Sequence, residues 1–166
     1  MEQSVDGGRG GSGKAPPAGC TYRTASVEDA EAVSGLLREQ YVEHRISAPM
    51  DELIPAVERL IGTPESGMIF IASHGPKIVG TAVMTFTWSI EHRGRIAWLD
   101  ELYIVPGWRE KGVGKALLGM VKDRADEEGC RAVELEVDHE HERAEALYLR
   151  EGFERVTRNR FVQRSY

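Results

Sequence analysis

Residues 98–118 read WLDELYIVPGWREKGVGKALL, and this stretch decides the fold. Arg95 to Val105 is rich in apolar and aromatic side chains and reads as a strand. Pro106 stops it, because proline has no backbone N–H to offer a ladder. A loop with Gly112 and Gly114 follows, and a helix over 112–128 begins there. Val113, Ala116, Leu117, Leu118, Met120 and Val121 lie on or near its apolar face. At a helix start the first amides lack internal partners and carry positive partial charge. Glycine lets a phosphate come close to them. Such a turn suits an anion, a pyrophosphate above all. Arg109, Lys111 and Lys115 add positive charge in a chain whose formal net charge is -6.

Upstream, Thr21 to Ala25 reads as a short strand. Ser26 caps a helix, with Asp29 three residues on in a capping-box arrangement. Ala30, Val33, Leu36 and Leu37 carry that helix to about Gln40, and residues 41–49 form a connection. Leu53, Ile54, Val57, Leu60 and Ile61 mark a second helix, ended by Gly62 and Pro64. Met68 to Ser73 and Lys77 to about Ile90 read as a hairpin around His74-Gly75-Pro76. Downstream, residues 133–153 read VELEVDHEHERAEALYLREGF. Arg131 to Asp138 alternates as a strand and 141–150 forms a helix. Gly152 turns the chain into two last strands, Phe153–Thr157 and Arg160–Arg164.

With 166 residues and 41% hydrophobic content, the chain suits one core. Residues 1–19 are mostly Gly, Ser, Pro and charge and read as a flexible tail. Gly8 with Gly13-Lys14 imitates a phosphate-binding P-loop. Ala15 stands where its metal-holding hydroxyl belongs, and Pro16-Pro17 blocks the required helix. The acidic balance argues against nucleic-acid binding. No apolar run approaches the roughly 18 residues that span a bilayer, and no secretory leader is read. Cys20 and Cys130 suggest neither disulfide nor zinc and fit a reducing, cytoplasmic setting. His139-Glu140-His141 puts its two histidines on different helical faces, so no metal site is expected. His44, His74 and His92 fall in connections. Trp88, Trp98 and Trp108 are expected at the core or its rim.

A lone GxG is a common helix entry, and context alone makes it a motif. Here Arg109-x-x-Gly112-x-Gly114 resembles the coenzyme A signature of the GCN5-related N-acetyltransferase (GNAT) family. The preceding LDELYIVP, the later Ala-Leu-Tyr148-x-x-x-Gly-Phe153 and the element order are similar to that family too, over about residues 20–166. The resemblance implies a mixed α/β, three-layer fold. Its central sheet has seven strands with helices on both faces, in the order β-α-α-β-β-β-α-β-α-β-β. It implies acetyl-CoA as co-substrate, with a pantetheine arm lying between splayed fourth and fifth strands. Leu102, Tyr103 and Ile104 would offer backbone groups to that arm. Glu110, Lys111, Gly112, Val113, Gly114 and Lys115 would offer amides to the pyrophosphate, with Arg109 nearby. Two positions depart from the pattern. Glu110 stands where the family often has Gly, so its side chain is expected to face solvent. His141 stands where the family often has Asn.

The implied activity is direct acetyl transfer to a primary amine, of a small molecule or a protein, in a ternary complex. Glu101 is the first candidate for the base and Asp100 the second. Strand alternation is expected to place them on opposite faces. A carboxylate near 4.3 and an amine near 10.4 differ by about 6 pKa units, so burial or a water relay must help. The plain alternative for either is a solvated carboxylate. Tyr148 is the candidate acid for the departing thiolate, its alternative being ordinary packing. His44 and Tyr41 fall where relatives line the acceptor site. Two other functions fit the same residues: a non-catalytic acyl-CoA sensor, or a transferase of longer acyl groups. Homodimerisation is a further arrangement that the family allows.

Overall fold

The computed structural model describes residues 17–138 and 141–163. Most of the expected tail, the P-loop imitation, His139, Glu140 and the last expected strand residue, Arg164, lie outside the described residues. Contacts divide the chain into two compact units, with the break between Glu136 and Val137.

The first unit is built on one five-stranded sheet whose spatial order follows the chain. Its strands are β1 (Cys20–Thr24), β2 (Gly67–His74), β3 (Lys77–Ser89), β4 (Gly94–Ile104) and β5 (Val133–Leu135). β1 to β4 are antiparallel neighbours, and β5 joins β4 in parallel. Ser26 opens the first helical segment as its sequence suggested. Asp29 accepts from the Ser26 backbone N–H at 2.8 Å and from its hydroxyl at 3.0 Å. Arg23 grips the same carboxylate at 2.6 and 2.8 Å, and that bond holds it far below the usual carboxylate range.

Helix α1 (Ala30–Glu43) runs three residues beyond the expected end, and α2 (Met50–Ile61) follows. Ala30, Val33 and Leu37 of α1 and Val57 of α2 bury themselves on Ile69, Ile71 and Val83 of the sheet. The extension has the same cause: Gln40 and Tyr41 continue the three-and-four spacing of Val33 and Leu37 and still meet the sheet. Strand residues alternate faces. Phe70, Ala72, Ala82, Met84 and Leu99 are buried toward the other side. There α3 (Val113–Glu127) packs on β2, β3 and β4 with Leu117, Leu118 and Val121 fully buried. Gly129, at φ +67, ends α3, with the Cys130 amide returning to the Ala125 carbonyl at 2.8 Å.

The second unit carries α4 (Glu142–Arg150) and the chain after it. Gly152 turns at φ +91, and the Phe153 amide bonds the Tyr148 carbonyl at 3.0 Å. The two expected strands beyond it do not form among the described residues. All of 154–163 is exposed, including Val156, Phe161 and Val162. With no ladder partner, β-rich composition alone does not make a strand. Among the described residues the sheet therefore has five strands, two short of the expected seven. β5 is also shorter than the alternation over 131–138 suggested, since its pairing with β4 stops at Leu135.

Candidate functional site

β4 carries the candidate residues, and its geometry is set by a bulge. Val83 pairs with Glu101, but its neighbour Met84 pairs with Leu99. Asp100 is the extra residue between them. Simple alternation fails there. Leu99 and Glu101 would share a face in a regular strand. Instead Leu99 follows Met84, and Glu101 follows Val83 toward α1. Alternation alone therefore does not set the directions of Asp100 and Glu101 at this point. Asp100 is exposed, and its charge bears on Glu101.

α1 holds Glu101 from above. The Tyr41 hydroxyl donates to Glu101 Oε1 at 2.7 Å, and Gln40 Nε2 donates to Oε2 at 2.7 Å. Burial raises the Glu101 carboxyl above its ordinary value, with Asp100 adding to the rise while the Tyr41 and Gln40 bonds oppose it. Burial, and then the Glu101 carboxylate, push the Tyr41 phenol well up too. Tyr41 thus belongs to a helix and not to a connection. Gln40, only 8% exposed, escaped the sequence reading. Its signal was available, because Val33, Leu37 and Gln40 share one helical stripe.

Two residues along β4, the buried Tyr103 points to the same side. Its hydroxyl donates to Glu39 and Glu43 at 3.2 Å each. Burial and those two carboxylates push the phenol up to about 12. Arg109 closes the group. Its Nη2 reaches both Glu43 oxygens at 2.8 and 3.0 Å, and its Nε donates to the Ile104 carbonyl at 2.8 Å. Its guanidinium lies 5.4 Å from the Tyr103 ring centre. Glu39, Glu43, Tyr103 and Pro106 line a groove of about 620 Å³ outside α1.

Beyond Leu99, β4 runs on to Ile104 without β5, whose pairing ends at Leu135. The Val105 amide bonds the Val79 carbonyl at 3.0 Å. Backbone groups alternate in direction along a strand. Tyr103 therefore turns its amide toward β3, while Leu102 and Ile104 turn theirs to the side β5 has left. The chain then makes a single helical turn over Pro106–Trp108 and reaches the start of α3. The Trp108 ring meets that of His74, the last residue of β2, at a tilt of 42° with 4.8 Å between ring centres, and Lys111 lies 5.1 Å over the Trp108 ring. Glu110 is exposed and left-handed at φ +61, and Gly112 is left-handed at φ +88. Ala116 is the first residue to close an α-helical bond, to the Gly112 carbonyl at 3.0 Å. The helix-start amides of Val113, Gly114 and Lys115 thus come before any partner within α3.

In the second unit His141 precedes α4, and its carbonyl accepts the Ala144 and Glu145 amides at 3.0 and 3.1 Å. Tyr148, 8% exposed, meets the Phe153 ring edge-on at 5.7 Å. Glu145 pairs with Arg155. Elsewhere, His92 bonds Glu134 at 2.7 Å, and Trp88 is 70% exposed at the end of β3 rather than packed at a core. No described helix is long and apolar enough to cross a membrane.

Comparison with known proteins reaches the same stretch. The acetyltransferase (GNAT) family model matches residues 30–153. An uncharacterized N-acetyltransferase of Bacillus subtilis, YhfO, is 29% identical, over 81% of this chain and 90% of its own. The aminoalkylphosphonate N-acetyltransferase of Salmonella typhimurium is 25% identical, over 81% of this chain and 84% of its own. Among solved structures, an integron cassette protein from a Cole Harbour salt-marsh metagenome superposes with a TM-score of 0.78. It is 32% identical, over 87% of this chain and 90% of that one. The aminoglycoside N-acetyltransferase AAC(6')-Iy in complex with CoA shares the fold at a TM-score of 0.74 and 20% identity, over 89% of this chain and 95% of that one.

Proposed function

The chain belongs to the GNAT family of acetyltransferases, and on that premise we propose that it moves the acetyl group of acetyl-CoA onto a primary amine in a ternary complex. Acetyl-CoA is the co-substrate of the family. The observation that carries the reading is Glu101: a half-buried carboxylate, held by two donors, beside a strand edge that leads to a helix start.

The residues present fit the donor. The outward amides of Leu102 and Ile104 can meet an extended polar chain as a neighbouring strand would. The first turn of α3, with Gly112, Gly114 and the charges of Lys111 and Lys115, suits a pyrophosphate. Bound there, acetyl-CoA supplies an activated acetyl thioester. The Glu110 carboxylate opposes an anion at this turn, and its exposure limits the cost by solvent screening.

Glu101 is the base in this reading. An ammonium has no lone pair, so a proton must leave the acceptor before it can attack. A carboxyl raised by burial lies closer to the amine in proton affinity than a solvated one. Asp100, exposed at the bulge, draws the cationic acceptor by its charge. Tyr148 is proposed as the acid for the departing thiolate, a role that rests on the family resemblance of its position. The two relatives named for a substrate, an aminoalkylphosphonate and an aminoglycoside N-acetyltransferase, differ in that substrate, so the acceptor is proposed only as a primary amine.

Release of free thiol from acetyl-CoA against a panel of amines, with products identified by mass, tests the reading. Turnover on at least one primary amine is expected. Tight acetyl-CoA binding with no turnover on any amine would assign the chain to acyl-CoA sensing instead. Tyr148→Phe is expected to lower turnover at least about tenfold, with acetyl-CoA affinity little changed.

A further inference from the structure

We propose that Gln40 is a positioning residue for Glu101, whose side-chain amide keeps its bond to the carboxyl in both protonation states by turning over. The inference rests in part on Glu101 acting as the proton acceptor. Its structural half stands without that.

The starting point is an imbalance. Gln40 is 8% exposed, and its Nε2 donates to Glu101 Oε2 at 2.7 Å. Its Oε1 is buried with no hydrogen-bond partner. A primary amide has a donor end and an acceptor end on one rigid plane. Here the donor end faces Glu101, and the acceptor end is left unmet. That orientation follows from charge. An ionised carboxylate only accepts, so it selects the amide N–H and would repel Oε1.

Protonation reverses the demand. Once Glu101 holds a proton, one of its oxygens becomes a donor. A half-turn of the Gln40 amide then presents Oε1 to that O–H. The bond between α1 and β4 survives, and only its direction changes. Methionine, of similar length, can make neither bond. Tyr41 holds the other oxygen at 2.7 Å, so Glu101 does not swing away while the amide turns.

Few charges compete at this point. Asp100 stands beside Glu101 on β4, and the apolar Val83 faces it from β3. Tyr41 faces it from α1. Glu39, Glu43 and Arg109 gather round Tyr103 instead. The amide turn therefore has Glu101 as its nearest titrating partner.

Isotope-edited NMR of the whole protein tests this without substrate. The Gln40 side-chain amide signals are assigned by their loss in Gln40→Met, and the Glu101 carboxyl signal by its loss in Glu101→Gln. The expected result is that both move with one midpoint as pH is raised. Gln40→Met should raise the Glu101 midpoint by less than about one unit, under about tenfold in proton affinity, because each protonation state loses a bond and only the extra strength of the one to the charged form is unbalanced. It should lower kcat more than it raises KM for the amine. Gln40 signals that stay flat through the Glu101 titration would overturn the proposal. So would a midpoint raised by far more than about one unit in folded Gln40→Met, because the neutral form would then have had no Gln40 bond to lose. If that variant does not fold, the wild-type titration decides alone. Coupled titration with no turnover on any amine would leave the pairing standing and remove the base.

Discussion

One guanidinium nitrogen of Arg109 reaches both carboxylate oxygens of Glu43, at 2.8 and 3.0 Å, tying the loop before α3 to the end of α1. Both side chains are about 40% exposed, so the pair is worth only about 0.2–1 kcal/mol. Its interest lies in competition. A phosphate at the α3 start that draws on Arg109 must take it from Glu43. Glu43→Gln removes the competitor's charge and keeps its shape. The expected outcome is CoA binding tighter by up to about fivefold, the equivalent of that pair energy at its upper end, read by calorimetry. Unchanged affinity would confine Arg109 to holding the loop.

Glu101→Gln separates activity from stability. The folded-state pKa of Glu101 is raised by burial, so the folded protein holds that proton more tightly than the unfolded chain. Stability linked to it is fully present below the unfolded carboxyl value and is lost as pH rises through the folded one. Glutamine carries no charge and undergoes no such loss. The melting temperature of Glu101→Gln should therefore gain on wild type as pH rises through that range. Turnover should fall by about a hundredfold or more. Parallel melting curves of the two proteins across pH check the first claim. A gap that narrows with rising pH would sink it.

The same residues show how far the sequence could be read. The strand, glycine turn and helix over 95–128 were legible because proline, glycine and an apolar stripe mark their boundaries locally. The candidates on β4 were legible as residue types in a motif. Their directions were not, because a bulge at Asp100 depends on how β3 pairs with β4. Gln40, Glu39 and Glu43 were hidden for a related reason. They lie about sixty residues from Glu101 and Tyr103, and a polar residue on a helix announces no distant partner. The strands expected after Gly152 mark the opposite limit: composition proposed them, and pairing was missing.

Two glycines with ordinary surroundings in the sequence differ sharply in space. A Cβ added to Gly67 would sit 2.3 Å from the Met84 carbonyl oxygen and 2.9 Å from the Thr85 Cα, both backbone atoms. One added to Gly119, within α3, meets nothing within 4 Å. Gly67→Ala must push β2 from β3 and should cost about 1–3 kcal/mol or more. Gly119→Ala should gain about 0.4–1 kcal/mol from helix propensity and a less free unfolded chain. Urea denaturation of the two variants checks the pair, and equal effects would contradict the close approach at Gly67.

Glu110 offers a test that joins backbone strain to ligand binding. It holds φ +61 at the turn before α3. A side chain in that region costs about 1–2 kcal/mol, which glycine does not incur. Glycine also loosens the unfolded chain by about 0.4–1 kcal/mol. Glu110→Gly should therefore stabilise the protein by a net ~0.5–1 kcal/mol. It also removes a carboxylate from beside amides suited to an anion, so CoA should bind more tightly, most clearly at low salt. Arg93 supplies the control. It sits at φ +56 in the β3–β4 turn, at the opposite end of β4 from the start of α3. Arg93→Gly relieves the same kind of strain and should stabilise to a similar degree while leaving CoA affinity alone. Denaturant melts with calorimetry on both variants separate the two effects. Equal gains in CoA affinity would trace the effect to general stiffening of the fold. A gain in stability alone at Glu110 would place the pyrophosphate away from this turn.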